Sequence, residues 1–372
     1  MASKSNLCII GMTLNFIVTL LIVNVVLADD NVPIPANKSE LNNWYNENVQ
    51  PLAQRKNTVD PVLVTAESTP AKVVKVMQDG SGDFKTITDA INSIPKGNTK
   101  RVIVYIGGGN YTEKVKIERE KNFVTLYGAP GNMPNLTYGG TALEYGTVNS
   151  ATLIVESNYF VALNLVISNS APKPDGKRKG AQAVALRISG DKAAFYNIKL
   201  LGFQDTLCDD IHMHFYKDCF IQGTVDFIFG NAKSLYLNTE LNVVGDTGTT
   251  IITAQAGKTE TDNTGYSFVH CNVTGTGNGT LLGRAWFSHS KVVYAYSNIG
   301  SVVNSSGWSD NNILEYRRSV FFGEYQNQGS GAKLSGRPKY AKQLSDTEVK
   351  PFITLGFINA STWLLPPQTP QE

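Results

Sequence analysis

Short apolar segments recur along this chain, with polar turns between them. They are Arg101–Ile106, Phe123–Tyr127, Phe160–Ile167, Phe195–Leu201, Phe215–Ile221, Leu235–Val244, Tyr266–Val273 and Val292–Ile299. Where no loop is inserted, the repeat is about twenty residues long. The segments are rich in Val, Ile, Thr, Tyr and Phe, which suit half-buried strands. Each runs into Gly, Asn, Ser, Thr or Asp, and no long helical periodicity separates them. No Asn-Gly or Asp-Gly pair joins neighbouring segments as a two-residue turn, so two-residue hairpins are not signalled. The pattern predicts an all-β fold, a parallel β-helix in which each coil lays its strands on those of the coil before. An antiparallel sandwich is the competing arrangement.

Helical signals are confined to the flanks. Leu41, Trp44, Tyr45 and Val49 have rough helical spacing in an N-terminal arm, and Pro51 limits that helix. Phe84, Ile87, Ile91 and Ile94 form an apolar stripe that predicts a second helix over 83–94, capped by Asp83 and stopped by Pro95. Ser345 and Glu348 make a capping-box pattern ahead of Pro351. Trp363-Leu364-Leu365 is expected to fold back on the outside of the solenoid. The predicted organisation is a leader over 1–28, an arm over 29–72, a main β-helix over 73–365 with its C-terminal packing segment, and a tail over 366–372.

The leader reads as a secretory signal. Lys4 is its one charge, an apolar stretch runs from Leu7 to Leu27, and Val26-Leu27-Ala28 places small residues at −3 and −1. The stretch is also long enough for a signal-anchor helix. Seven N-glycosylation sequons follow, at Asn37, Asn110, Asn135, Asn272, Asn278, Asn304 and Asn359, in keeping with secretion. With 33 basic and 31 acidic side chains among 372 residues, the net charge of +2 argues against a nucleic-acid binder. Four Cys and four His leave little for a zinc framework or a disulfide scaffold. Cleavage after Ala28 leaves Cys208, Cys219 and Cys271, whose pairing the sequence does not reveal.

Candidate chemistry comes from stacking. Residues one coil apart sit at the inter-strand spacing of roughly 4.8 Å. Gln182 and Asp205 are 23 residues apart, and Asp205 and Asp226 are 21 apart. A coil of about twenty-two residues would align all three in one column. Two carboxylates this close cannot both ionise cheaply, so one pKa rises and the other stays low. That offers an acid and a nucleophile side by side. The plainer reading is two turn aspartates on a solvated face.

Five segments, in order, carry a family resemblance: Gly109–Glu113 (GNYTE), Gln182–Arg187 (QAVALR), Gly202–Leu207 (GFQDTL), Asp226–Gly230 (DFIFG) and Leu282–Trp286 (LGRAW). Over about residues 73–365 the chain resembles plant and microbial pectinesterases (pectin methylesterases). The short arm looks like the plant subgroup without an inhibitor-like pro-region, and the wording of arm and tail is most similar to pollen-type members. The resemblance implies a right-handed, single-stranded, pectin-lyase-like β-helix with short flanking helices. It implies Asp226 as nucleophile, Asp205 as general acid and then base, and Gln182 and Gln204 as oxyanion-stabilising amides. Arg284 corresponds to the arginine that holds the nucleophile and lowers its pKa, Trp286 to a sugar-stacking residue, and Thr147 to a substrate-contacting threonine. No metal or cofactor is implied. The expected setting is a secreted, monomeric cell-wall enzyme acting on methyl-esterified pectin, with a proteinaceous pectinesterase inhibitor as a further partner. Cys208, where many members have Tyr, is expected to alter the cleft wall, and Ala285 stands where Pro is common.

Two carboxylates on a β-helix also suit a polygalacturonase, although that reaction does not explain the two glutamines. A non-catalytic pectin-binding wall protein could use Trp286, Phe203 and the basic loop Lys173-Lys177-Arg178-Lys179. His212 and His214 could share one strand face, but no third metal ligand is evident. Gly275–Gly279 reads as a turn, since no helix follows it. No GxSxG elbow marks a serine esterase.

Overall fold

The computed structural model describes residues 30–245 and 248–370. The expected leader, 1–28, lies outside the described residues. Among the described residues no helix is long and apolar enough to cross a membrane.

From Phe160 onward each recurring apolar segment folds as two strands rather than one, whereas Arg101–Ile106 and Phe123–Tyr127 supply one each. Phe195–Leu201 supplies Ala193–Tyr196 and Lys199–Leu201, and Phe215–Ile221 supplies Met213–Lys217 and Phe220–Gly223. The bend falls on a single residue in the left-handed region, Asn197 (φ 50°) in one coil and Asp218 (φ 56°) in the next. Asn164, Asn238, His270 and Tyr296 occupy the same kind of corner elsewhere. Asn, Asp and His tolerate that conformation better than most residues with a side chain. The apolar run continues through the corner because both strands bury one face, so hydrophobicity alone hides the bend.

A second turn leads to a third, shorter strand, such as Leu207–Asp209 or Ile228–Gly230. Coils of three strands build sheets of eleven, eight and eight strands among the described residues. We call these the long sheet, the corner sheet (holding Lys199–Leu201 and Phe220–Gly223) and the groove sheet (holding Leu207–Asp209 and Ile228–Gly230). Neighbouring coils pair in parallel in each of them. This is a parallel β-helix, and the sandwich alternative falls.

Inside, Phe195, Tyr216, Tyr236, Phe268 and Tyr294 stack coil upon coil on the long sheet. Their ring centroids lie 4.7, 4.5, 4.5 and 4.6 Å apart. These separations match the strand spacing, so the ladder follows from the register. One charged group sits among these rings. The buried Asp209 carboxylate lies 2.5 Å from His214 Nδ1 and accepts from Tyr216 Oη (3.1 Å) and Tyr236 Oη (2.6 Å).

The flanks close the solenoid. The helix Ile87–Asn92 buries Ile87 and Ile91 in the main core, next to the first strands of the long sheet. It is shorter than the predicted 83–94. Thr86 caps it by accepting from Asp89 N, and the Glu113 carboxylate takes Ile87 N and Thr88 N at 2.9 and 2.8 Å. Asp83 instead accepts from Lys75 N at 2.8 Å. The arm helix Leu41–Asn48 buries Leu41, Trp44 and Tyr45 against the outer face of the long sheet, where Tyr45 stacks on Phe215. Trp363 and Leu364 pack into the same outer cluster. Arg55 ties arm to tail by donating to the Leu364 carbonyl at 2.7 Å. The Ser345–Glu348 capping box is formed.

The three cysteines among the described residues are buried and free. Cys219, Thr239 and Cys271 precede paired corner-sheet strands in successive coils. Thr239 therefore separates the two thiols by a coil, about twice the strand spacing and too far for a disulfide.

Candidate active site

The entries to the groove-sheet strands line up along the solenoid axis. Thr147 precedes Leu153–Val155, Gln182 precedes Leu186–Ile188, Asp205 precedes Leu207–Asp209, and Asp226 precedes Ile228–Gly230. Arg284 lies on Thr280–Ala285 in the same sheet, and Trp286 follows directly. The predicted positions stand at different distances before or within these strands and come from different coils, except Gln204 with Asp205 and Arg284 with Trp286, which share one.

Asp205 and Asp226 stand in direct register. Leu207 pairs with Ile228, and Asp205 N donates to the Val225 carbonyl at 3.1 Å. Both aspartates adopt positive φ, 68° and 50°. Left-handed backbone on a residue with a side chain is a strain that persists where the surrounding fold imposes it, often at functional sites. Here the strain lies at the turn into the groove sheet. Both residues are largely buried, with 8% and 4% of their surface exposed, so neither is an ordinary solvated turn aspartate.

Gln182 departs from the predicted column. Ala183 N donates to Gln204 O and Ala185 N to Thr206 O, which sets Val184 beside Asp205 and Gln182 two residues earlier, beside Phe203. The repeat here is 21 residues, not 23, and the difference of two displaces the glutamine along the strand. Gln182 and Gln204 are both half-buried, and neither side-chain amide has a hydrogen-bond partner among the described residues. They remain available as donors. The Gln182 carbonyl is fixed from outside by Ala142 N at 2.8 Å.

Arg284 grips Asp226 through two nitrogens. Nε donates to Oδ1 at 2.8 Å and the second nitrogen donates to Oδ2. The third nitrogen donates to Asn311 Oδ1 at 2.8 Å. The guanidinium carbon lies 4.9 Å from the centre of the Trp286 ring, and that ring is 45% exposed. One side of the indole thus steadies the arginine while the residue remains open to solvent. Asn311 was not among the residues the sequence singled out. It lies in an Asn-Asn turn outside all five motifs, and only the fold brings it to Arg284.

Burial raises the pKa of Asp205 well above the usual carboxylate range, and the Asp226 charge adds to the rise against the weaker pull of Arg284. Asp226 is raised as well, because its burial outweighs the hydrogen bonds and charge of Arg284. Arg284 lowers Asp226 as expected, but the expectation that one of the two carboxylates stays low is corrected. What survives is the order, with Asp205 holding its proton to higher pH.

Cys208 is buried with Ala151, Ile154 and Val184 on the outer face of the groove sheet, in the row that runs through Phe229 and Ala254 to Arg284, and burial pushes its thiol well up. Ala285 is also buried. His212 and His214 share no face. His212 is exposed in a turn at φ 78°, while His214 points inward to Asp209. Gly275–Gly279 forms the turn between Asn272–Thr276 and Thr280–Ala285.

The family model described as Pectinesterase matches residues 73–361. Pectinesterase 2 of Olea europaea is 60% identical over 353 residues, covering 94% of this chain and 95% of that protein. Among solved structures, the pectin methylesterase from carrot superposes with a TM-score of 0.73 at 32% identity, covering 80% of this chain and 96% of that one. A pectin methylesterase solved in complex with a hexasaccharide gives a TM-score of 0.66 at 27% identity, covering 80% and 98%. These neighbours share the right-handed parallel β-helix.

Proposed function

The chain belongs to the pectinesterase family, and we propose that Asp226 and Asp205 carry out its removal of methyl groups from esterified pectin by an acyl-enzyme route. The observation that carries this reading is the asymmetry of two stacked, buried carboxylates. One is gripped by Arg284 and the other has no hydrogen-bond partner among the described residues.

Ionised Asp226 attacks the C6 carbonyl carbon of a methyl galacturonate unit. The carbonyl electrons move to oxygen, and the side-chain amides of Gln182 and Gln204 donate to that oxyanion without bringing a competing charge. When the C–O bond to the methoxy group breaks, Asp205 gives its proton to the leaving oxygen and methanol departs. Asp205, now ionised, takes a proton from water. The hydroxide adds to the acyl carbon, Asp226 is expelled as its carboxylate, and the galacturonic acid left on the polymer loses its proton to solvent. Trp286 offers an exposed ring for a sugar face, and Thr147 stands in the turn before Leu153–Val155, two coils from Asp205. The strands of this sheet follow one another coil by coil, so a linear polysaccharide can lie across several coils at once.

The setting that fits is extracellular, where plant pectin resides. We read the chain as a secreted, monomeric cell-wall enzyme of pollen type, with a proteinaceous inhibitor as a partner for the groove. The test is a comparison of wild type with Asp226→Ala on highly esterified pectin. Methanol release by the folded wild type, absent in the variant and without new reducing ends, supports the scheme. Reducing ends would signal glycosidic cleavage instead, and full methanol release by Asp226→Ala would remove the nucleophile.

A further inference from the structure

Arg284 does not stand in the coil next to Asp226. It stacks on Ala254, and Ala254 stacks on Phe229, so two coils separate the arginine backbone from the strand that Asp226 enters. The side chain reaches back across the intervening coil, where the stacked residue is small, to set two nitrogens on the Asp226 carboxylate. A long side chain held in one geometry gives up much rotamer freedom. A second acid, Asp205, is stacked one coil beyond Asp226 and offers the guanidinium another carboxylate. The fork alone does not explain why Arg284 stays on the first.

The rest of the guanidinium supplies the reason. Its third nitrogen donates to Asn311 Oδ1 at 2.8 Å, and the Trp286 ring lies against it at 4.9 Å. Every nitrogen thus has a partner, and none is left for Asp205. Asn311 is presented by a turn that holds itself. Ser309 pairs with Arg284 across the coil, and its hydroxyl accepts from Asn311 N at 3.0 Å. The buried Asp310 accepts from Asn312 N at 3.0 Å and pairs with Arg317 Nε at 2.5 Å. Asn311 and Asn312 take left-handed backbone, φ 59° and 60°, which Asn tolerates better than most residues. Among the described residues the Asn311 side chain makes one hydrogen bond, and it goes to Arg284 rather than to its own turn. The turn does not need that side chain; the arginine does.

We propose that Asn311 is a positioning residue for the nucleophile: by taking the third nitrogen of Arg284 it commits the guanidinium to Asp226 rather than Asp205, and so decides which of two like acids attacks the ester. This rests on the reading of the active site given above. Asn311 acts through Arg284 and is assigned no contact with the sugar. The charged groups that face Asp226 are Arg284 and Asp205, and Arg284 pulls its pKa down against burial. A guanidinium free to leave the carboxylate pulls less, so losing Asn311 raises Asp226 further.

The experiment uses the full chain with Asn311→Gly, which removes the side chain and suits the left-handed backbone, and Asn311→Ala, which removes it and strains the turn. On esterified pectin both should move the acidic limb of kcat/KM to higher pH and lower kcat roughly tenfold, with KM within about twofold of wild type. The two variants should agree in these values even though Asn311→Ala melts lower. In an Arg284→Lys background Asn311→Gly should lower kcat by less than about twofold more, because the fork it serves is gone. A limb displacement that follows Tm across the two variants, an additive loss in the Arg284→Lys background, or a rise in KM alone would overturn the proposal. If Arg284→Lys moves the acidic limb and Asn311→Gly leaves it in place, the proposal falls and the active-site reading stands. If neither moves it, both fall.

Discussion

Arg284 meets Asp226 edge-on, with Nε on one carboxylate oxygen at 2.8 Å and a second nitrogen on the other, and makes no such bond to Asp205 one coil away. The two acids share burial, backbone conformation and register. A planar fork that fits one carboxylate is thus what separates their roles.

Activity needs Asp226 ionised and Asp205 protonated, so kcat/KM should trace a bell against pH. Its acidic limb reports Asp226 and its alkaline limb Asp205, and both limbs lie above the ordinary carboxylate range because burial raises both groups. Arg284 pulls Asp226 down against that burial. In Arg284→Lys one point charge replaces the fork, so the acidic limb should move to higher pH and kcat should fall about a hundredfold from lost alignment. An acidic limb that stays in place would detach it from Asp226.

Gln182→Ala removes an amide that has no structural partner among the described residues. Stability should hardly change, while kcat falls by about 10²-fold with KM nearly constant, the pattern of a donor used in the transition state. Gln204→Ala should behave alike. A rise in KM alone would make either glutamine a binding residue, and steady-state kinetics on esterified pectin decides it.

The repeat was legible because a solenoid writes its period into the chain, and the stacking of Asp205 on Asp226 was legible because 21 residues is one uninterrupted coil. The corners were not legible. Asn197 and Asp218 bend the backbone without interrupting the apolar pattern, so each pair of strands reads as one. Gln182 falls outside the column because the coil is 21 residues long here, so Val184 stacks on Asp205, and spacing alone does not fix a register to within two residues. Asn311 reaches Arg284 through a turn in the following coil, outside every motif. The sign at Asp226 depends on burial set against an ion pair, a balance that only the packed structure contains. Asp209 carries no mark in the sequence either, since its partners Tyr216 and Tyr236 look like ordinary core aromatics until the register brings them to one carboxylate.

That buried cluster should matter for stability rather than for the reaction. His214→Ala leaves the Asp209 carboxylate enclosed with two tyrosine hydroxyls and no imidazole. Leaving a buried carboxylate short of a hydrogen-bond partner costs about 1–3 kcal/mol. Tyr236→Phe removes one hydrogen bond and should cost about 1–3 kcal/mol. Urea denaturation measures both, with kcat/KM on the folded fraction expected to stay within about twofold because neither side chain faces the groove. A cost below about 1 kcal/mol for His214→Ala would show the pair to be dispensable.

The raised pKa of Asp205 should itself be visible as a stability cost. In the unfolded chain this group titrates near 3.9, so below that pH both states are protonated and the folded protein bears no penalty. As pH rises past that point the unfolded chain ionises while the folded one keeps its proton, and stability is lost until the pH passes the folded pKa. Asp205→Asn keeps the shape, tolerates the same left-handed backbone and removes the titration. The variant should be inactive yet more stable at pH 7, by an order of ~1 kcal/mol or about 2–4 °C in Tm. At pH 3.5 the two proteins should melt together. Thermal unfolding at both pH values checks this: equal Tm at pH 7, or a gain that persists at pH 3.5, would mean that the buried proton of Asp205 is not what the fold pays for.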